Sequence, residues 1–371
     1  MKVIMIFGTR PEAIKMVPVF RELQKHQIET KICITAQHRS MLDQVLTFFN
    51  VKPDYDLNLM QKNQTLFDIT INALKALEEV LKQENPDIVL VQGDTTTTFV
   101  GSLAAFYLKI KVGHIEAGLR TWDKLNPFPE ENNRRLTDIL SDIHFAPTEF
   151  ARKNLLNEGF SEKSIFVTGN TGIDALFMTL KQINESGDQS FSRNLNFNSE
   201  KLILVTCHRR ESFGDSLENI CIALKRIVNE NKYVEIVYPV HLNPNIRNTV
   251  NKHLIGTDRI HLIEPLDYAS FVWLMNKSYI ILTDSGGVQE EAPSLGKPVL
   301  VLRERTERQE AINAGTAKLV GTKSESIFHE TQKLLQNIDE YKNMSQVINP
   351  YGDGQAAVRI VDILSRVMPE I

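Results

Sequence analysis

Short runs of apolar and β-branched residues recur along the chain. Each leads into a turn of small or polar residues and then into a longer stretch with helical spacing. In the first half the runs are Val3–Phe7, Lys31–Thr35, Ile88–Gln92, Val112–Glu116, Ile143–Ala146 and Ile165–Thr168. In the second they are Leu202–Thr206, Val234–Val240, Ile260–Ile263, Tyr279–Leu282 and Val299–Leu302. Runs of this length and composition predict buried strands. Ala13–Gln24, the segment from Ser40, the segment after Thr95–Thr98 through Leu108, the segment from Glu130 and Gln355–Val367 predict helices. Strands alternating with helices predict parallel sheets covered on both faces. The chain therefore reads as an α/β protein of two doubly wound, Rossmann-like domains facing across a cleft. The domains are expected at 1–168 and 169–354, with a closing helix at 355–371 packing back on the first. Asp188–Lys201 is polar and irregular and reads as an inter-domain or peripheral loop.

The turns between these elements carry the candidate chemistry, because ligands of doubly wound sheets sit outside the carboxyl ends of the strands. After Tyr279–Leu282 come Thr283-Asp284-Ser285, Gly286-Gly287 and a helical pattern lasting until Pro293. Glycines without Cβ and a helix start favour a bound phosphate, with the Ser285 hydroxyl as a further donor and Glu290 or Glu291 in reach of a ribose. In GTRPE, Thr9 caps the first helix, Glu12 completes a capping box and Pro11 suits the first turn. The other polar residues at first-half strand ends are Arg10, Gln37, Asp94 and Glu116. Asp94 taken alone reads as an N-cap, whereas a carboxylate ending the apolar run at Glu116 has little structural reason to be there. Glu130 and Glu131 open a helix, where the dipole favours acidic residues. In the second half, His208-Arg209-Arg210, His241 and Arg303 stand at successive strand ends beside the Ser-Gly-Gly turn and compose a phosphate cradle.

Composition narrows this picture. The chain has 371 residues, 42% hydrophobic and 24% charged, with a formal net charge of −4. That is enough for two ordinary cores, and it argues against nucleic acid or an anionic membrane as a partner held by bulk charge. Cys33, Cys207 and Cys221 show no paired spacing, so neither a disulfide framework nor a zinc site is expected. The N-terminal run VIMIF is too short for a signal segment and no later run approaches a membrane span, so a cytoplasmic protein is expected. No P-loop, GxGxxG fingerprint or metal-ligand pair is present.

Several long motifs in order, FGTRPEAIK (7–15), GDTTTT (93–98), HIEAGLRTWD (114–123), PEENNRR (129–135), HRRES (208–212), DSGGVQEEAPSLGKPVLVLR (284–303) and TERQE (306–310), resemble the bacterial non-hydrolysing UDP-N-acetylglucosamine 2-epimerases. The resemblance runs nearly the whole length. It implies the glycosyltransferase-B fold, interconversion of UDP-GlcNAc with UDP-ManNAc for surface polysaccharide or teichoic acid, and a homodimer with no metal or redox cofactor. Matched by motif, the catalytic positions are Asp94, Glu116, Glu130 and His208. The positions implied to bind UDP and the sugar nucleotides are Arg10, Lys15, Arg209, Arg210, His241, Leu266, Phe271, Ser285, Gly286, Gly287, Glu291 and Arg308. A second, activating UDP-GlcNAc site is implied at Gln37, Glu130 and His241. Ser40 and Asn63 stand where some relatives have a polar amide and an arginine.

The implied chemistry explains the residue types. The C2 proton of GlcNAc is not α to a carbonyl, so loss of UDP from C1 must accompany loss of that proton. The result is 2-acetamidoglucal, to which UDP re-adds. A cationic and dipolar cradle stabilises the departing diphosphate, and two faces of C2 require two proton carriers. The alternatives are a hydrolysing epimerase, a glycosyltransferase of the same fold, and an inactive UDP-sugar sensor.

Overall fold

The computed structural model describes residues 1–36, 39–59, 64–187, 191, 197, 199–209 and 213–368. The chain divides into two compact units, 1–178 with 352–371, and 179–351. Each is built on one parallel sheet.

The sheet of the first unit contains β1 (Lys2–Phe7), β2 (Glu29–Ile34), β3 (Tyr55–Asp56), β4 (Ile88–Gln92), β5 (Lys111–Ile115), β6 (Ile143–Ala146) and β7 (Ile165–Val167). Their spatial order is β3-β2-β1-β4-β5-β6-β7. The second unit holds β8 (Lys201–Thr206), β9 (Val234–Pro239), β10 (Ile260–Ile263), β11 (Ile280–Thr283), β12 (Val299–Val301) and β13 (Ala317–Leu319), ordered β10-β9-β8-β11-β12-β13. Counted within its own unit, each sheet runs 3-2-1-4-5-6, and the first adds a seventh strand. This is the doubly wound Rossmann order, with a strand-order reversal between β1 and β4 and again between β8 and β11. The expected α/β class with two Rossmann-like sets is the one observed.

Central strands are buried on both faces, which is why they read as continuous apolar runs rather than alternating ones; every residue of β4 is buried, for example. In the first unit Ile4, Ile6, Val89, Val91 and Val112 pack against Ala73, Leu77 and Leu81 of the helix Leu66–Glu84. In the second, Ile203, Val205, Ile236 and Tyr238 pack with Ile220, Leu224 and Ile227 of the helix Asp215–Glu230.

The element bounds differ from the sequence expectation in ways that have local causes. The first helix is Arg10–Lys25, starting three residues earlier than its apolar spacing indicated, because Thr9 and Pro11 set its entry. The strands Tyr55–Asp56 and Ala317–Leu319 were not anticipated; both lie at sheet edges and are too short to show a period. The irregular stretch at 188–201 falls largely outside the described residues. The closing helix, Ala356–Val367, packs on Arg10–Lys25, and the Asp174 carboxylate accepts from the backbone N–H groups of Ala356 and Ala357 at 3.2 and 2.9 Å. No described helix is long and apolar enough to cross a membrane.

At the first reversal, Glu12 does more than close a capping box. One of its carboxylate oxygens accepts from Gly8 N, Thr9 N and Thr9 Oγ1 at 3.1, 2.8 and 2.7 Å. The other accepts from Thr95 Oγ1 and Thr98 Oγ1 at 2.7 and 3.0 Å, so the turn after β1 is bound to the turn after β4. Gly8 is required by this closeness, since a Cβ there would lie 2.1 Å from Thr35 Oγ1 and 2.6 Å from Thr97 Oγ1. Glu12→Ala leaves buried donors without an acceptor, at a cost of about 3 kcal/mol. Calorimetry is expected to show the first unit melting roughly 6–12 °C lower, and Glu12→Gln, which keeps one acceptor oxygen, losing less. An unchanged Tm for Glu12→Ala would contradict this account of the turn.

Candidate active site

In the first unit the expected carboxylates gather at neighbouring strand ends. Glu116 follows β5 directly, in a left-handed conformation with φ of 69°, and is buried. Lys15 Nζ, one turn into the first helix, lies 2.5 and 2.7 Å from its two oxygens. Gln92, the last residue of β4, and Asn170 (3.3 Å) donate to the same carboxylate through their side-chain amides. A carboxylate so surrounded is held as an anion in one orientation. Lys15, expected in a phosphate cradle, thus has its ammonium on Glu116 in this structure.

Asp94 stands at the end of β4 and is not the helix cap. Thr95 caps the helix Thr96–Tyr107, its Oγ1 accepting from Thr98 N at 3.1 Å. The cap reading of Asp94 is therefore corrected: in a run of cap-forming residues the backbone placed the cap one position later. This leaves the Asp94 carboxylate to bond Arg134 Nη2 at 2.6 Å. Glu130 opens the helix Glu130–Leu140 as its position implied, and its Oε2 is buried with no hydrogen-bond partner among the described residues. Glu131 is structural, accepting from Thr121 N and Trp122 N at 3.0 and 3.1 Å. Arg10 is half-buried at the first residue of its helix. Asp94, Glu116, Glu130 and Lys15 thus share the carboxyl edge of one sheet around its β1–β4 reversal.

The second unit repeats the scheme. Asp284, just past β11, is fully buried and accepts from the backbone N–H groups of His208 and Arg209, both at 2.8 Å, with His208 Nδ1 3.2 Å away. Burial by itself would raise the Asp284 carboxyl. The His208 contact and the two amides outweigh it and hold the group at about 2. His208 and His241 stack with ring centroids 6.0 Å apart. Burial, and then His208, keep His241 below the usual histidine range. Ser285 stands at the start of the short helix Gly286–Glu291. A Cβ on Gly286 would come within 3.3 Å of Arg308 Cζ, so that guanidinium lies against the turn. Arg308 also bonds Glu290 at 2.7 Å. Glu307 gathers Arg209, Arg303 and Arg308 at 3.2, 2.8 and 3.3 Å. Burial would raise Glu307, but these cations outweigh it, Arg308 foremost, and hold it at about 2. Leu266 and Phe271, expected against a uracil, are half-buried around the start of the helix Tyr268–Lys277. Gln37, Arg210 and Asn63 lie outside the described residues, as does the side chain of Ser40.

A sequence profile of the family described as UDP-N-acetylglucosamine 2-epimerase matches residues 21–365. The chain belongs to that family. It is 56% identical over 367 residues to the UDP-N-acetylglucosamine 2-epimerase of Bacillus subtilis, covering 98% of this chain and 95% of that one. Among solved structures, the UDP-GlcNAc 2-epimerase of Neisseria meningitidis, bound to UDP-GlcNAc, superposes with a TM-score of 0.90. It is 52% identical and covers 99% of this chain and 100% of its own. An S. aureus protein solved with UDP is 47% identical at a TM-score of 0.89, covering 100% of this chain and 98% of its own.

Several residues around the site of this family member were not anticipated as part of it. Gln92, Asn170 and Arg134 hold the candidate carboxylates, and Asp284 and Glu307 hold the candidate cations. Asp284 had a signal, being a charged residue directly after an apolar strand. Asn170 and Arg134 had none beyond their motifs, because their partners lie 54 and 40 residues away.

The depressed Asp284 carboxyl gives a pH prediction. Its stabilisation is fully present above the unfolded value near 4 and is lost as pH falls toward 2, an effect of about 2 kcal/mol. Acid unfolding of the epimerase is therefore expected to be less steep between about pH 4 and 2 in Asp284→Asn than in the parent. Superimposable acid limbs would remove Asp284 from this role.

Proposed function

We propose that the enzyme is a non-hydrolysing epimerase that interconverts UDP-GlcNAc and UDP-ManNAc by eliminating and re-adding UDP. The C1–O bond breaks with its electron pair leaving on UDP. The C2–H pair becomes the C1=C2 double bond of 2-acetamidoglucal, and a carboxylate takes the proton. Re-addition reverses these steps with a proton delivered to the other face of C2. The observation that carries this reading is the grouping of Glu116, Asp94 and Glu130. One is clamped by an ammonium and two amides, one is tied to a guanidinium, and one has a buried oxygen with no hydrogen-bond partner among the described residues. Such a set supplies the two proton carriers and an anion beside an oxocarbenium-like centre.

In this reading the second unit takes the nucleotide. The Ser285–Gly287 turn, His208, Arg209, Arg210 and Arg308 stabilise charge growing on the diphosphate, and Glu291 takes the ribose hydroxyls. Leu266 and Phe271 flank the uracil. Keeping the glycal beside UDP makes re-addition effectively unimolecular, worth up to roughly 7–11 kcal/mol. Use of the product in surface polymers, a homodimer, and activation by UDP-GlcNAc at a site including Gln37 and His241 belong to the same reading. The relatives solved with UDP-GlcNAc and with UDP support the ligand class.

Two outcomes test the mechanism. Turnover in D₂O is expected to place one deuterium at C2 of both sugar nucleotides, with no accumulation of free UDP in a coupled assay. Retained hydrogen would rule out proton exchange at C2, and stoichiometric free UDP would indicate the hydrolysing reaction. Asp94→Asn, Glu116→Gln and Glu130→Gln are each expected to lower kcat at least ~10²-fold while still binding UDP. A variant with near-normal turnover would take that residue out of the chemistry.

A further inference from the structure

The turn that presents Asp94 is held from three directions. Its successive carbonyls each accept from a side chain on a different element: Gln92 O from Thr98 Oγ1 at 2.7 Å, Gly93 O from His114 Nε2 at 2.7 Å, and Asp94 O from Asn133 Nδ2 at 3.0 Å. Thr98 belongs to the helix after β4, His114 to β5, and Asn133 to the helix Glu130–Leu140. Gly93 has a φ of 77° and lies against Glu116, a Cβ there standing 3.8 Å from Oε2. One residue thus adjoins two of the three candidate carboxylates, Asp94 and Glu116.

His114 is the unusual member. Its side chain is fully buried, and its other ring nitrogen, Nδ1, is 2.6 Å from Asp138 Oδ1. A carbonyl oxygen only accepts, so Nε2 carries a hydrogen and donates it to Gly93. Asp138 is the ionised partner. Burial by itself would raise its carboxyl, but His114 and Arg120 outweigh burial and hold it below the usual range. Its second oxygen accepts from Arg120 Nη2 at 2.7 Å, and Arg120 in turn donates through Nε to Glu158 at 3.1 Å. His144 on β6 bonds the Asp138 carbonyl at 2.9 Å, and Glu158 also meets Arg135 at 3.2 Å.

We infer that His114 is a positioning residue: a buried ring, backed by Asp138, that grips the Gly93 carbonyl and so sets where Asp94 presents its carboxylate beside Glu116. It lies behind the reacting groups and reaches them only through the backbone of the turn. The inference rests on the reading of Asp94 as an acid–base group.

The test uses the full-length protein with His114→Leu and His114→Gln. With Leu the Gly93 carbonyl is released, and kcat for UDP-GlcNAc is expected to fall on the order of 10²-fold, the usual effect of a misplacement near 1 Å. KM and the Kd for UDP are expected to stay at parental values. Gln, which can still donate to that carbonyl, is expected to recover part of the loss. A folded His114→Leu with parental kcat, or a His114→Gln that recovers none of the loss, overturns the inference. Where His114→Leu does not fold, a folded His114→Gln that raises KM while kcat stays parental overturns it as well. Asp94→Asn, run in parallel, separates the two levels. If it too keeps full turnover, the acid–base reading of Asp94 fails, and if it alone loses turnover, only the role of His114 fails.

Discussion

A buried carboxylate clamps the strand-order reversal of each sheet, and the arrangement of the candidate residues depends on it. Where crossovers leave in opposite directions, two turns part and their backbone amides point into the crevice without strand partners. Buried N–H groups must find acceptors. In the first unit Glu12 reaches from the first turn of its helix, taking Gly8 N and Thr9 N with one oxygen and the hydroxyls of Thr95 and Thr98 with the other. In the second, Asp284 reaches from the end of β11 to His208 N and Arg209 N. Burial raises the Glu12 carboxyl, whereas Asp284 is held low; a hydrogen bond contributes roughly 0.5–1.5 kcal/mol net, and more to an ionised acceptor, so several together fix two otherwise independent turns in one register.

From these clamps outward, most of the candidate groups are oriented by a charged or ionisable neighbour. Glu116 is set by Lys15, Asp94 by Arg134, His208 by Asp284, and Arg209, Arg303 and Arg308 by Glu307. Fixing polar groups in this way before a ligand arrives is preorganisation. The same pairs carry a cost. Removing one partner leaves a charge partly or wholly out of water, so variants at the supporting positions affect folding as well as turnover.

Much of the fold was legible because its signals are local. Parallel strands buried on both faces appear as unbroken apolar runs, and the Thr9–Glu12 capping box was visible from residue spacing alone. The helix Leu66–Glu84 was not anticipated, although its Thr65–Asp68 capping box and the spacing of Ala73, Leu77, Val80 and Leu81 are local signals. Tyr55–Asp56 and Ala317–Leu319 were not legible, since two or three residues at a sheet edge show no period. In GDTTTT, five consecutive residues can cap a helix, and only the backbone path selected Thr95 over Asp94.

The sequence by itself determined the number and type of the main elements, the parallel sheets and the strand ends where polar residues would collect. Those follow from backbone periodicity and the nearest neighbours along the chain. Tertiary structure alone decided which charges meet. Lys15 and Glu116 are 101 residues apart, and His208 and Asp284 are 76. It also turned His114 from an ordinary interior strand position into the donor for a neighbouring turn. Pairings of that kind depend on register and crossover direction, which the local pattern of a chain does not encode.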